Sequence, residues 1–310
     1  MRGSRWRRFA IAALALAGTC TALGASLRWD ASYLFRAPNA ERGAEPSVPP
    51  GGARTFHVAV GPPDAVLEGW IFEPSTRPIA TVLVLHGVRG GKKDMIETAR
   101  ELTRAGMRAV LVDARGHGGS SGRFLTYGVR EARDLSQVID ALEEDGITGA
   151  LGVYGPSYGG AIAHQLAGRD ARVHAIVTVA AMSDLRERAR DAWPLGRWLP
   201  RAWIDGEVER AARHAGFEID EANPARATAQ SHAATLLFHG DADAVIAYEH
   251  GVRLQRACAW RGCRLERLRR AGHRDALTHP SVGPAARAFF RRELGPDRAL
   301  SEAGPRPSHT

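Results

Sequence analysis

A chain of 310 residues with 44% hydrophobic composition can bury a sizeable core, which excludes a disordered or fibrous protein and suits one α/β domain of about 250 residues. The formal net charge of +8 argues only weakly for a nucleic-acid partner: Arg2, Arg5, Arg7 and Arg8 supply half of it before any fold has begun, and no recognition motif accompanies it. Lys92 and Lys93 are the only lysines among 42 basic residues, which reads as compositional bias rather than as a binding surface.

The chain starts MRGSRWRRFAIAALALAGTCTALGASLRWD, with arginines ahead of an uncharged stretch of 19 residues from Phe9 to Leu27. Such a stretch is a secretory signal or a single membrane anchor, and its glycines and threonines leave both readings open. In either case the arginines stay cytoplasmic and the bulk of the chain is exported, so a periplasmic or other extracytoplasmic location is expected. If the segment is not cleaved, it would hold the protein at the inner membrane. LAGTC is similar to a lipoprotein cleavage site, but Thr19 suits the position before Cys20 poorly. Residues 1–35 are therefore assigned to the signal or anchor. Residues 36–54, rich in Pro, Gly, Ala and charge, read as a linker.

The folded domain is expected over residues 55–294. TFHVAV and AVLEGWIF, joined by GPPD, read as an antiparallel edge pair. TVLVLHG, DMIETARELTRAG, RAVLVDA, REARDLSQVIDALEEDG, ALGVYG, GGAIAHQLAG and VHAIVTVAA then alternate strand with helix, which implies a mostly parallel sheet covered on both faces. Residues 183–228 break the alternation and read as a short helical cap insertion, whose Trp193, Trp198 and Trp203 either pack helices or line a substrate cover. Alternation resumes with ATLLFHG, EHGVRLQRACAW, CRLERL and PAARAFFRREL, and residues 295–310 form a flexible tail. Cys258 and Cys263 either bridge in an oxidising compartment or stay as two buried thiols. No motif calls for a metal or a cofactor: HExxH and cysteine-histidine clusters are absent, and VDARGHGGSSG has no nucleotide-binding spacing.

In VYGPSYGG, Gly155 and Gly159 flank Ser157 at two residues on either side, between an apolar run and a helix-compatible run. A serine hydroxyl is a weak nucleophile without a base and without donors for the oxyanion. An acid and a base follow on the chain: Asp241 and Asp243 lie in the loop after ATLLFHG, and His273 ends the last strand.

On these residues the chain resembles the α/β-hydrolase family, in which the order is serine, acid, histidine. The pattern HGxxDxxV is matched by His239, Gly240 and Asp243 with Ile246 in place of valine, and its register selects Asp243 over Asp241. Ala271, Gly272 and His273 match the small-Gly-His pattern. The resemblance implies a mostly parallel eight-stranded sheet with helices on both faces, a catalytic set of Ser157, Asp243 and His273, and an oxyanion hole from the amides of Val88 and Tyr158. His86 would shape the loop before Val88, and the aspartate and glycines of VDARGHGGSSG would shape the loop beneath the site. His117 and His164 read as packing and helix-face residues. A dehalogenase or epoxide hydrolase would carry aspartate at position 157. The run of motifs looks most like the Bem46-like and serine-aminopeptidase-like branches, which implies a serine hydrolase acting on a small ester, thioester or peptide. The alternative is a non-catalytic hydrolase-fold binding protein of the cell envelope.

Overall fold

The computed structural model describes residues 31–40, 43–44, 47–192, 200–258 and 263–296. Its strands are β1 (Ala53–Val60), β2 (Ala65–Phe72), β3 (Thr81–Val84), β4 (Arg108–Val112), β5 (Leu151–Pro156), β6 (Val173–Val179), β7 (Ala234–Gly240) and β8 (Arg264–Leu268). They form one sheet in the order β1-β2-β4-β3-β5-β6-β7-β8. β1 and β2 make the expected antiparallel edge hairpin, with Val60 opposite Ala65, and β2 also runs antiparallel to β4. From β4 to β8 every neighbouring pair is parallel. The alternating exposure of β1 suits an edge strand, whereas TVLV of β3 and LGVYGP of β5 are buried throughout, as a strand covered on both faces requires.

Helices α1 (Ile96–Arg104), α2 (Val129–Glu144) and α3 (Tyr158–Arg169) follow β3, β4 and β5. The chain winds outward from β3 in both directions, since β4 lies on one side of it and β5 on the other. Such a reversal opens a crevice at the carboxyl ends of the two central strands. The turns after β3 and β5 meet there. Two apolar layers hold the sheet between its helices: Val138, Ile139, Ile162 and Leu166 of α2 and α3 pack on one face. Ala99 and Leu102 of α1 pack on the other, with Phe289 and Phe290 from the C-terminal helix (Val282–Leu294).

The break in alternation is a helical insertion built from α4 (Leu185–Ala192), α5 (Arg201–His214) and α6 (Pro224–Gln230). Ile204, Val208 and Phe217 close a third apolar cluster with Leu185 and Ala189 beneath them. Trp193 and Trp198 lie outside the described residues. Trp203 is 36% exposed and is not among the residues lining the pocket described below.

One expectation needs correction. The stretch read as the end of an anchor and a linker contributes to the domain: the turn Ala31–Leu34 leads into Phe35, which is fully buried and meets Phe217 edge-on at 5.3 Å. The Phe35 carbonyl accepts from the Leu125 amide at 2.7 Å, and the Asn39 side chain donates to the carbonyls of Gly118 and Ser120. Composition hid this, because one aromatic side chain and one amide suffice to pin a Pro- and Gly-rich segment once a cleft exists to receive them. Strand β1 likewise starts at Ala53, inside the span read as linker.

After β7 the chain forms α7 (Tyr248–Cys258), and Cys258 is bridged to Cys263 at the start of β8, with Cα atoms 5.5 Å apart. Residues 1–30 and 297–310 lie outside the described residues, and so do the signal or anchor stretch and nearly all of the expected tail. Among the described residues no helix is long and apolar enough to cross a membrane. No group of three metal-ligating side chains occurs among them either.

Candidate active site

Ser157 sits at the carboxyl end of β5 with φ 51° and ψ −113°, a left-handed backbone that an L residue adopts only under constraint. The constraint is local. The Ser157 amide donates to the Val179 carbonyl at 2.7 Å, and its carbonyl accepts from Gly160 and Ala161 as the helix begins. A Cβ on Gly155 would stand 2.3 Å from the Gly159 carbonyl oxygen, and one on Gly159 would stand 2.8 Å from that of His86. The glycines are therefore required by the close approach of strand, helix and the loop after β3. The turn points the hydroxyl into the crevice.

His273 begins the short helix α8 (His273–Leu277), and its Nε2 lies 3.1 Å from Ser157 Oγ. Its Nδ1 lies 2.7 Å from Asp243 Oδ2. The other Asp243 oxygen accepts from the amides of Val245 and Ile246 at 2.8 Å each. Burial alone would raise the Asp243 pKa, but the bond from His273 and the two amides outweigh it and hold the carboxyl below its ordinary value. Asp241 instead faces Arg267 and the Arg270 amide, away from His273. The HGxxDxxV register thus selected the aspartate that meets the histidine. His239 supports that loop through Nε2, 2.8 Å from the Ile246 carbonyl.

The loop after β3 brings Gly87 and Val88 to the same cavity as Ser157 and Tyr158. Among the described residues, the amides of Val88 and Tyr158 donate to no backbone carbonyl. His86 shapes this loop: one ring nitrogen lies 2.8 Å from the Gly87 carbonyl and the other accepts from the Ala114 amide at 3.0 Å. His117 packs against it at 4.7 Å between ring centres and accepts from the Arg89 amide. His164 is more than a helix-face residue: it is fully buried and joins Thr228 of the insertion to Thr178 of β6. The cavity measures about 350 Å³ and is lined mainly by apolar side chains, with Met182, Leu185, Ile246 and Leu277 among them.

Three features escaped the sequence reading. Lys92, fully buried, places its ammonium 2.5 Å from both Glu68 and Asp113 and 4.7 Å from the centre of the Trp70 ring. Asp113 also accepts from the amides of Lys92 and Gly119, so one carboxylate ties the loop after β3 to the glycine loop after β4. The scarcity of lysine was the available signal, since a compact ammonium fits where a guanidinium does not. Second, the Tyr158 hydroxyl donates to the buried Glu131 carboxylate at 2.9 Å, which fixes the residue that follows the serine. Third, Arg188 of α4 lines the cavity.

Burial pushes His117 and His164 down to about 3 and lowers His86, His239 and His250 as well. An unfolded histidine titrates near 6.5, so below that pH the unfolded chain binds protons that the folded chain refuses, and stability falls as pH falls toward 3. His117 and His164 each remove about 1.4 kcal/mol per pH unit in that window. Urea unfolding at pH 6.5 and 5.5 is expected to show a loss of about 2 kcal/mol from these two residues, since the unfolded histidines are already half protonated at the upper pH. Equal stability at the two pH values would contradict the neutral, buried assignment. Asp243 acts in a separate window, because its contribution is lost only as pH falls through its lowered value.

A family model described as serine aminopeptidase, S33 matches residues 76–222. A protein of Bacillus subtilis (strain 168) called uncharacterized protein YqkD is 28% identical over 103 residues, which are 33% of this chain and 33% of that protein. The chain thus spans about a third of the curated relative it matches. Among solved structures, an esterase of Pyrococcus furiosus superposes with TM-score 0.63 at 20% identity, covering 81% of this chain and 100% of that one. A puromycin-hydrolyzing peptidase of Mycobacterium tuberculosis gives 0.62 at 21% identity, covering 80% of this chain and 41% of that one. An acylaminoacyl peptidase of Pyrococcus horikoshii gives 0.59 at 18% identity, covering 78% and 42%. Strand order, the turn carrying Ser157 and these matches agree: the chain has the α/β-hydrolase fold.

Proposed function

We propose that this protein is a serine hydrolase that cleaves a carboxylic ester, thioester or peptide through an acyl-enzyme intermediate. The observation that carries the reading is the chain of contacts from Ser157 Oγ to His273 Nε2 and from His273 Nδ1 to Asp243. Ser157 Oγ attacks the substrate carbonyl while His273 Nε2 takes its proton, and the imidazolium then protonates the leaving group. Asp243 holds the ring in the tautomer this needs. The amides of Val88 and Tyr158 receive the oxyanion, each such donor contributing about 10²- to 10³-fold in rate. Water, deprotonated by His273, attacks the acyl carbonyl and frees Ser157.

Relatives named as esterases and peptidases support the reaction class without dividing it. A non-catalytic envelope binding module would have no use for a strained serine, a base at 3.1 Å and two unengaged amides together. The Cys258–Cys263 bridge supports the further proposal that the domain works in an oxidising, extracytoplasmic compartment.

A fluorophosphonate probe tests the reading directly. Intact-mass and peptide analysis are expected to find one adduct, on Ser157, that is absent from Ser157→Ala. A folded protein that stays unlabelled would overturn it.

A further inference from the structure

The short helix α4 has the sequence LRERARDA, and its residues Leu185, Arg188, Ala189 and Ala192 all line the cavity that holds Ser157 and His273. Their spacing of three and four puts them on one helix face. Three are apolar and one is cationic.

The other arginines of α4 are engaged. Arg186 pairs with Glu209 and Asp220, and Arg190 donates twice to Asp205. The Arg188 guanidinium, by contrast, has no hydrogen bond and no ion pair within 4.0 Å among the described residues. Burial lowers its pKa, and Tyr127, Asp191 and Asp243 offset this only at a distance. Asp243 is committed to His273, and Asp191 faces His250. The neighbouring stretch 193–199, WPLGRWL, contains no acidic residue at all. Among the described residues no aspartate or glutamate lines the cavity, and the second cation on its lining, Arg274, has the same sign.

A partly desolvated guanidinium in an apolar pocket is costly unless an anion meets it, and its planar fork matches a carboxylate through two parallel hydrogen bonds. An ammonium-bearing substrate would find two positive charges and no counter-charge on this lining. We infer that the substrate is an ester or amide that itself carries a carboxylate, held by Arg188 in the same cavity as the scissile carbonyl. This rests on the hydrolase reading above and narrows it to anionic acyl or leaving groups.

The test compares matched esters on the full chain. For the acyl side, 4-nitrophenyl hydrogen adipate is set against 4-nitrophenyl hexanoate and 4-nitrophenyl 6-aminohexanoate. For the leaving side, 3-carboxyphenyl butanoate is set against phenyl butanoate. The readout is the ratio of kcat/KM for the carboxylate ester to that for its neutral partner, which is independent of the fraction of each variant that folds. In at least one pair Arg188→Met is expected to lower that ratio about 10- to 100-fold, the range of a lost charge-assisted contact. Arg188→Lys is expected to keep part of it, and Arg188→Glu to shift preference toward the ammonium ester. If Arg188→Met slows carboxylate and neutral esters alike in both pairs, the inference is overturned while the hydrolase reading stands. If no ester turns over and fluorophosphonate leaves Ser157 unlabelled, the reading itself fails and takes the inference with it.

Discussion

Ser157→Ala is expected to lower kcat for ester hydrolysis about 10⁴- to 10⁶-fold, measured at saturating substrate with wild-type contamination excluded by active-site titration. Oγ is the one atom placed both 3.1 Å from the base and in the cavity with the Val88 and Tyr158 amides. Its removal leaves only binding and oxyanion stabilisation of an attack by water. His273→Ala is expected to cost about as much, and the double variant little more than either alone, because the groups act as one unit. Asp243→Asn tests the third member by a different route. Two backbone amides already hold one oxygen of this side chain, so the asparagine can keep its position while presenting an NH₂ toward His273 Nδ1. The imidazole then turns its proton toward Ser157, and a fall of about 10⁴-fold in kcat is expected with little change in stability. A Ser157→Ala variant within tenfold of wild type would place the chemistry elsewhere.

Lys92→Met is expected to destabilise the fold by about 3 to 5 kcal/mol, because it leaves two buried carboxylates facing each other without a cation. For a domain of this size that lowers Tm by roughly 6 to 20 °C. The neighbouring change Lys93→Met, on an exposed side chain, is expected to stay within about 0.5 kcal/mol of wild type and serves as the control. Lys92→Arg is the sharper comparison. Charge is retained, yet Lys92 is 1% exposed and its ammonium already touches Glu68, Asp113 and the Trp70 face, so the longer, planar group has no room. A melting temperature for Lys92→Met within 2 °C of wild type would show that the three charges contribute nothing net.

The parts of the site that the sequence disclosed are those whose chemistry is tied to local spacing. Gly155 and Gly159 around Ser157 report a turn that only a bare backbone can make, and the HGxxDxxV register reports which aspartate a following loop will aim. The mostly parallel sheet with its antiparallel edge pair was legible for the same reason, since buried β-branched runs alternating with helices imply strands covered on both faces. What stayed hidden depends on contacts between distant segments. Glu68, Lys92 and Asp113 come from β2, the turn after β3 and the end of β4, and nothing local marks them as a cluster. Phe35 was hidden at the end of the stretch read as a signal or anchor, and the Tyr158 hydroxyl by its distance along the chain from Glu131. Arg188 was legible only in part. The period of LRERARDA fixes which side chains share a face, but the fold alone decides that this face looks onto Ser157 and that the arginines two positions to either side are already paired.

The burial of Lys92 also determines how the molecule responds to amine-directed chemistry. With forty arginines and two lysines, one of them sealed under Trp70, a reagent that couples to lysine side chains has a single accessible target, Lys93. That residue stands in the turn Lys92–Met95, directly after the loop whose Gly87 and Val88 line the cavity. Conjugation to a bead or a dye through lysine would therefore give every molecule the same single attachment point, on the turn that follows the Gly87–Gly91 loop.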